Sequence, residues 1–130
     1  MSKIKRYNMT DLIHVNPEGT INLEKSFELV HEMAEAASYH KDDHILIDSR
    51  DTMLDESLST QDIFYVAMEM AKYKNVFKNK IANIVPNDTK RLKKAKQFQR
   101  TMQFSGFEYS FFTDFEEAIK WLSEISPISP

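Results

Sequence analysis

The residues from Asp48 to Ser59 collect an unusual density of reactive and charged groups: Asp48, Arg50, Asp51, Asp55, Glu56, Ser57 and Ser59. They follow the short apolar run His44-Ile-Leu-Ile-Asp48, which reads as a strand covered on both faces. Ser59 can cap a following helix, with Asp62 near the positive helix end. The segment therefore lies at the carboxyl end of a strand, where open α/β sheets place their ligands. The free N–H groups of the next helix favour an anion such as a phosphate. A partner- or ligand-binding loop is expected here, formed by Asp48, Arg50, Asp51, Asp55, Ser57 and Ser59. The plainer alternative is a polar loop in which Ser59 is a cap and nothing more.

A second group is basic. Lys90, Arg91, Lys93, Lys94, Lys96 and Arg100 surround a narrow apolar stripe of Leu92, Ala95, Phe98 and Met102. Residues 1 to 70 hold 6 basic and 14 acidic groups, residues 71 to 100 hold 10 and 1, and residues 101 to 130 hold 1 and 5. A basic segment thus sits between two acidic ones, and such asymmetry can mark an anionic partner or merely a solvated, complementary surface. Lys90, Arg91, Lys93 and Lys94 are the candidate anion-binding residues. Nucleic acid is disfavoured, because the chain as a whole is acidic, with a pI near 5.8, and carries no recognised nucleic-acid motif.

Other chemistries lack their residues. With no cysteine there is no disulfide, thiol nucleophile or thiolate metal site, which suits a reducing cytoplasm. His14, His31, His40 and His44 fall into no zinc spacing. Asp48, Asp51 and Asp55 suggest magnesium, but the first strand lacks an acidic pair after it and the last ends in Phe112-Thr113 without lysine, so no metal is expected. The only glycines are Gly19 and Gly106, too few for a G-x-S-x-G elbow or a phosphate-cradling loop. No catalytic residue and no cofactor are expected. Met53, Met68 and Met70 can line a flexible apolar pocket, although methionines at such spacing more often fill a core.

The elements that must position these groups follow from periodicity. Lys5 to Met9 and Leu12 to Val15 read as short extended segments, followed by a turn at Asn16-Pro17-Glu18-Gly19 in which Gly19 takes positive φ. Asn22 caps a helix with Leu23, Phe27, Val30, Ala34 and Ala37 inward and Glu24, Glu28, Glu32 and Glu35 outward. The helix opened by Ser59 is expected to bury Ile63, Phe64, Ala67, Met70 and Ala71. Lys80 to Val85 is the next strand, Asn87 or Asp88 caps a third helix reaching about Phe104, and Gly106 stops it. Tyr109 to Phe112 is the last strand, and Thr113-Asp-Phe-Glu116 reads as a capping box opening a helix with Phe115, Ala118, Ile119 and Leu122 on its apolar face. Phe27, Ile45, Ile47, Phe64, Ala67, Ile84, Phe111 and Leu122 are the expected core.

Three strand-to-helix units in succession predict an α/β fold with a four- or five-stranded mixed, mostly parallel sheet flanked by about four helices. A chain of 130 residues fits one domain, with a core over about 11 to 124 and a frayed tail at 125 to 130. No stretch approaches the roughly 20 apolar residues needed to span a bilayer. The start, Met1-Ser-Lys-Ile-Lys-Arg6, is not that of a secretion signal, so a cytoplasmic protein is expected.

Taken in order, Pro17-Glu-Gly-Thr-Ile21, His44-Ile-Leu-Ile-Asp48, Ile81-Ala-Asn-Ile-Val85 and Phe111-Phe-Thr-Asp-Phe-Glu-Glu-Ala-Ile-Lys-Trp-Leu122 resemble the STAS-like family. This group is related to the bacterial anti-sigma-factor antagonists and shares features with CRAL-TRIO lipid-binding domains. The likeness spans roughly Asp11 to Glu124. It implies a non-enzymatic module that binds a protein or a small ligand. The antagonists carry a phosphorylated serine in an Asp-Ser-Ser-Gly motif, where this chain reads Glu56-Ser57-Leu58-Ser59. Aligned without gaps from His44, Ser57 meets the first serine, Leu58 the phosphorylated one and Ser59 the glycine. The expected function is therefore an interaction or regulatory module whose partner is another protein. The alternative is a carrier or sensor of a small apolar or lipid-like ligand. A homodimer is compatible with either.

Overall fold

The computed structural model describes residues 12 to 124, so the extended segment expected at Lys5 to Met9 and the tail at 125 to 130 lie outside the described residues. Ten elements follow one another: β1 (Leu12–Val15), β2 (Gly19–Ile21), α1 (Leu23–Tyr39), β3 (His44–Asp48), β4 (Thr52–Leu54), α2 (Thr60–Ala71), β5 (Ile81–Ile84), α3 (Thr89–Phe104), β6 (Tyr109–Phe112) and α4 (Phe115–Ser123). The main sheet has the order β1-β3-β5-β6 with every pairing parallel, and β2 and β4 form a separate parallel pair. The expected α/β architecture is present, with four helices among the described residues. The alternation of helix and strand explains it, because parallel neighbours need a crossover and the crossovers cover the sheet.

Strand parity divides the core. Ile13 and Val15, Ile45 and Ile47, and Ile81 share register positions on the face that packs against α1, α2 and α3, with Val30, Met33, Ala37, Ala67, Met70 and Met102. Leu46, Ala82 and Ile84 face the other way, onto Ala118, Ile119 and Leu122 of α4. Among the described residues, one face thus carries three helices and the other the nine-residue α4. A central strand covered on both faces explains the apolar run Ile45-Leu46-Ile47 of β3, and in β5 the run is interrupted by Asn83.

The caps are mostly those expected. Asn22 accepts from the Lys25 N–H at 2.8 Å, Asp88 from the Arg91 N–H at 3.0 Å, and Ser59 and Asp62 form a reciprocal capping box. Gly19 and Gly106 take φ of 80° and 91°, and a Cβ at Gly106 would collide with the Lys74 side chain. At α4 the cap is Asp114, accepting from the Glu117 N–H at 3.1 Å, one residue later than the Thr113 box expected.

Five expectations about burial need correction. In α1 the inward stripe is Ser26, Val30, Met33, Ala34 and Ala37, which rotates Phe27 to a half-buried flank. Ile47 and Phe111 are likewise half-buried. In α2 the buried stripe is Ile63, Ala67 and Met70, and Phe64 and Ala71 are exposed. At about 100° per residue, Phe64 lies a quarter turn from Ile63.

The short α4 is latched at its C-terminus by Lys80. This lysine is buried, and its Nζ donates to the carbonyls of Trp121 (2.9 Å) and Glu124 (2.6 Å) while lying 5.1 Å from the Trp121 ring centre. A cation there meets the negative end of the helix dipole. The Lys80 N–H donates to His44 Nδ1 at 3.0 Å, which requires that nitrogen to be unprotonated. Burial first, and the Lys80 charge second, hold His44 below its usual 6.5. The folded state then binds fewer protons than the unfolded state, so the stability this contributes is present above 6.5 and is lost as pH falls from 6.5 through the lower folded value. Denaturant unfolding between about pH 8 and pH 5 should show that loss, and His44→Gln should flatten it. An equal slope in wild type and variant would assign it to other groups.

Candidate functional site

The carboxyl ends of β3 and β5 open into a cavity of about 150 Å3 between the sheet and α1, α2 and α3. Its wall is apolar, with Val30, Ile47, Val66, Met70, Val85 and Phe98 among the lining side chains. The roof comes from the short β2–β4 pair and the turn before α2, which contribute Ile21, Leu54 and Leu58. Ser49, Asn83 and Tyr109 bring polar atoms to the floor. Ser49 Oγ donates to Asn83 Oδ1 at 2.8 Å, and Asn83 Nδ2 donates to the Tyr109 hydroxyl at 3.0 Å. Burial pushes the Tyr109 phenol well above its ordinary pKa, so it stays neutral.

Two cations of α3 reach the cavity. Arg91 donates to the Thr52 carbonyl (3.2 Å) and hydroxyl (2.7 Å), and Lys94 donates to the Leu58 carbonyl at 2.7 Å. The basic stretch that the sequence grouped together is thus divided by helix geometry. Arg91 and Lys94, three residues apart, turn inward beside Ala95 and Phe98, and Lys90 and Lys93 are exposed to solvent. Among the described residues no acidic one lines the cavity and no carboxylate lies within ion-pair distance of the Arg91 or Lys94 side chain, Asp88 accepting only the Arg91 backbone N–H and acting on the guanidinium through space. Burial lowers the Arg91 pKa, the sign of a charge deprived of water.

The loop residues are not gathered into one site. Asp48 and Arg50 pair with each other, Nη2 to Oδ2 at 2.7 Å and Nε to Oδ1 at 2.9 Å, and that hydrogen bonding is the main reason Asp48 titrates below the usual carboxylate range. Arg50 lies 5.9 Å from the Phe115 ring centre at the start of α4, on the sheet face opposite the cavity. Asp55 accepts from the N–H and hydroxyl of Ser57 at 2.8 and 2.6 Å, a local turn. Ser59 caps α2, and Asp51 is exposed. The loop residues that do reach the cavity, Ser49, Leu54 and Leu58, are ones sequence reasoning passed over. The signal that could have found them is alternation: Thr52 is buried, Met53 exposed and Leu54 half-buried, as in a three-residue strand. Leu58 is buried in the cavity roof.

A third feature lies on α2, which packs between α1 and α3. Its outward face leaves Phe64, Tyr65 and Met68 exposed by 50%, 42% and 51%. Among the described residues no three His, Cys, Asp or Glu side chains converge as a metal would require, and no helix is long and apolar enough to cross a membrane. No protein-family model, curated protein or solved structure matches the chain.

Proposed function

We propose that this chain is a non-enzymatic, STAS-like interaction module that engages another protein through the outward face of α2 and the part of the Asp48–Ser59 loop that leads into it, from Asp55 to Ser59. The observation that carries this reading is the trio Phe64, Tyr65 and Met68. Three large apolar side chains half exposed on one helix face, with Asp55, Ser57 and Ser59 of the turn leading into that helix read as its polar rim, form the kind of patch that marks a protein contact. Aromatic residues and methionine are enriched at such contacts, and the rim supplies hydrogen-bonding partners. The test is a photo-crosslinking residue at position 64, with one at the still more exposed Phe104 as control, in cells of the native host. A discrete adduct is expected from position 64 alone, lost when Tyr65 and Met68 are both changed to Ser. Equal adducts from both positions would sink the reading.

The cavity favours a second reading, a carrier or sensor of a small apolar ligand. An apolar space with a few convergent polar groups at the carboxyl edge of a parallel sheet is the usual form of a small-molecule site. Cytoplasmic residence belongs to the same proposal and accords with the absence of cysteine.

A further inference from the structure

The cavity combines an apolar wall with two cations whose side chains form no ion pair among the described residues, Asp88 acting on Arg91 only through space. A half-buried guanidinium has lost much of its hydration, and neutral carbonyls return only part of it. Arg91 and Lys94 hold only such neutral acceptors, the Thr52 and Leu58 backbone oxygens and the Thr52 hydroxyl. Hydrogen bonds to an ionised acceptor are roughly twice as strong as those to a neutral one. An anionic oxygen entering between the two side chains would therefore replace weak partners with strong ones. The wall sets the rest of the molecule. A space of about 150 Å3 accommodates a benzene-sized body, so one ring or a chain of about six carbons fits. Ser49, Asn83 and Tyr109 already bond to one another across the floor, which leaves the cationic end as the place where a charged head gains most.

We propose that this cavity binds a small amphipathic anion, its apolar body against Val66, Met70 and Phe98 and its acid group, a carboxylate or phosphate, held by Arg91 and Lys94. The proposal rests on the second reading above and specifies its ligand. It also gives the binding a consequence, because the same two side chains tether the β4 strand and the turn at Leu58. An acid group that takes over Arg91 and Lys94 releases those backbone acceptors and loosens the roof.

The experiment is a titration of the full chain with hexanoate, hexyl phosphate and 1-hexanol, followed by amide NMR. Saturable shifts at Asn83, Val85 and Phe98 are expected with at least one of the two anions, whichever binds tighter identifying the head group. Hexanol should bind at least about tenfold more weakly, and Arg91→Gln should weaken anion binding by at least about tenfold, the loss expected for one charged hydrogen bond. The outward-facing Lys93→Gln should leave it unchanged. Should Arg91→Gln fail to fold, Lys94→Gln carries the same comparison. Hexanol binding as tightly as both anions, or anion binding indifferent to these variants, would overturn the anionic head and leave an apolar carrier. No saturable binding by any of the three probes would overturn the carrier reading as well.

Discussion

Leu46→Ala is expected to destabilise the fold by about 3–5 kcal/mol, the range found for leucines truncated at fully buried sites. Leu46 is 0% exposed, at the centre of β3, and packs with Ala82, Ile84, Ala118, Ile119 and Leu122 under α4. Ile47, the next residue, is the useful comparison. Its side chain points to the opposite face, is half-buried and lines a space that already exists. Truncating it enlarges the cavity without desolvating a new one, so about 2 kcal/mol is expected. Denaturant unfolding of both variants tests the assignment of faces. A larger loss at Ile47 than at Leu46 would mean that the two faces of β3 are exchanged. A loss under about 0.5 kcal/mol at Leu46 would remove β3 from the core altogether.

Lys80→Met should destabilise by about 1.5–3 kcal/mol, the worth of hydrogen bonds from a charged donor. Two effects oppose each other here. Removing a lysine that is 6% exposed relieves its desolvation, and methionine keeps the apolar stem. Against that, the Trp121 and Glu124 carbonyls lose their donor, the helix dipole loses its counter-charge and the Trp121 ring loses a nearby cation. The second group wins because three favourable contacts converge on one ammonium. Trp121 is the only tryptophan, so its fluorescence reports on α4 alone. A shift in emission together with the stability loss is expected. Unchanged emission and a loss below about 0.5 kcal/mol would show that Lys80 does not latch α4.

Local chemistry made most of the scaffold legible. Asn22, Ser59 and Asp88 are caps because a short polar side chain before an apolar-periodic run can satisfy helix N–H groups wherever it occurs. Gly19 and Gly106 mark positive φ for the same kind of local reason. The apolar run at Ile45 to Ile47 announced a strand with both faces covered. The three-residue β4 was not legible, because three residues are too few for a period and its pairing with β2 joins positions 33 apart, as Gly19 with Thr52. What the sequence by itself determined was therefore the order and type of the main elements and the reactive residues present. Which of those residues share a site was decided by tertiary structure alone. Asp48 and Ser49 are adjacent in the chain yet serve opposite faces of the sheet, and Arg91 and Lys93 part company within one helical turn. Side-chain direction depends on strand parity and on which arc of a helix meets a neighbour, and both are fixed only when distant segments pack.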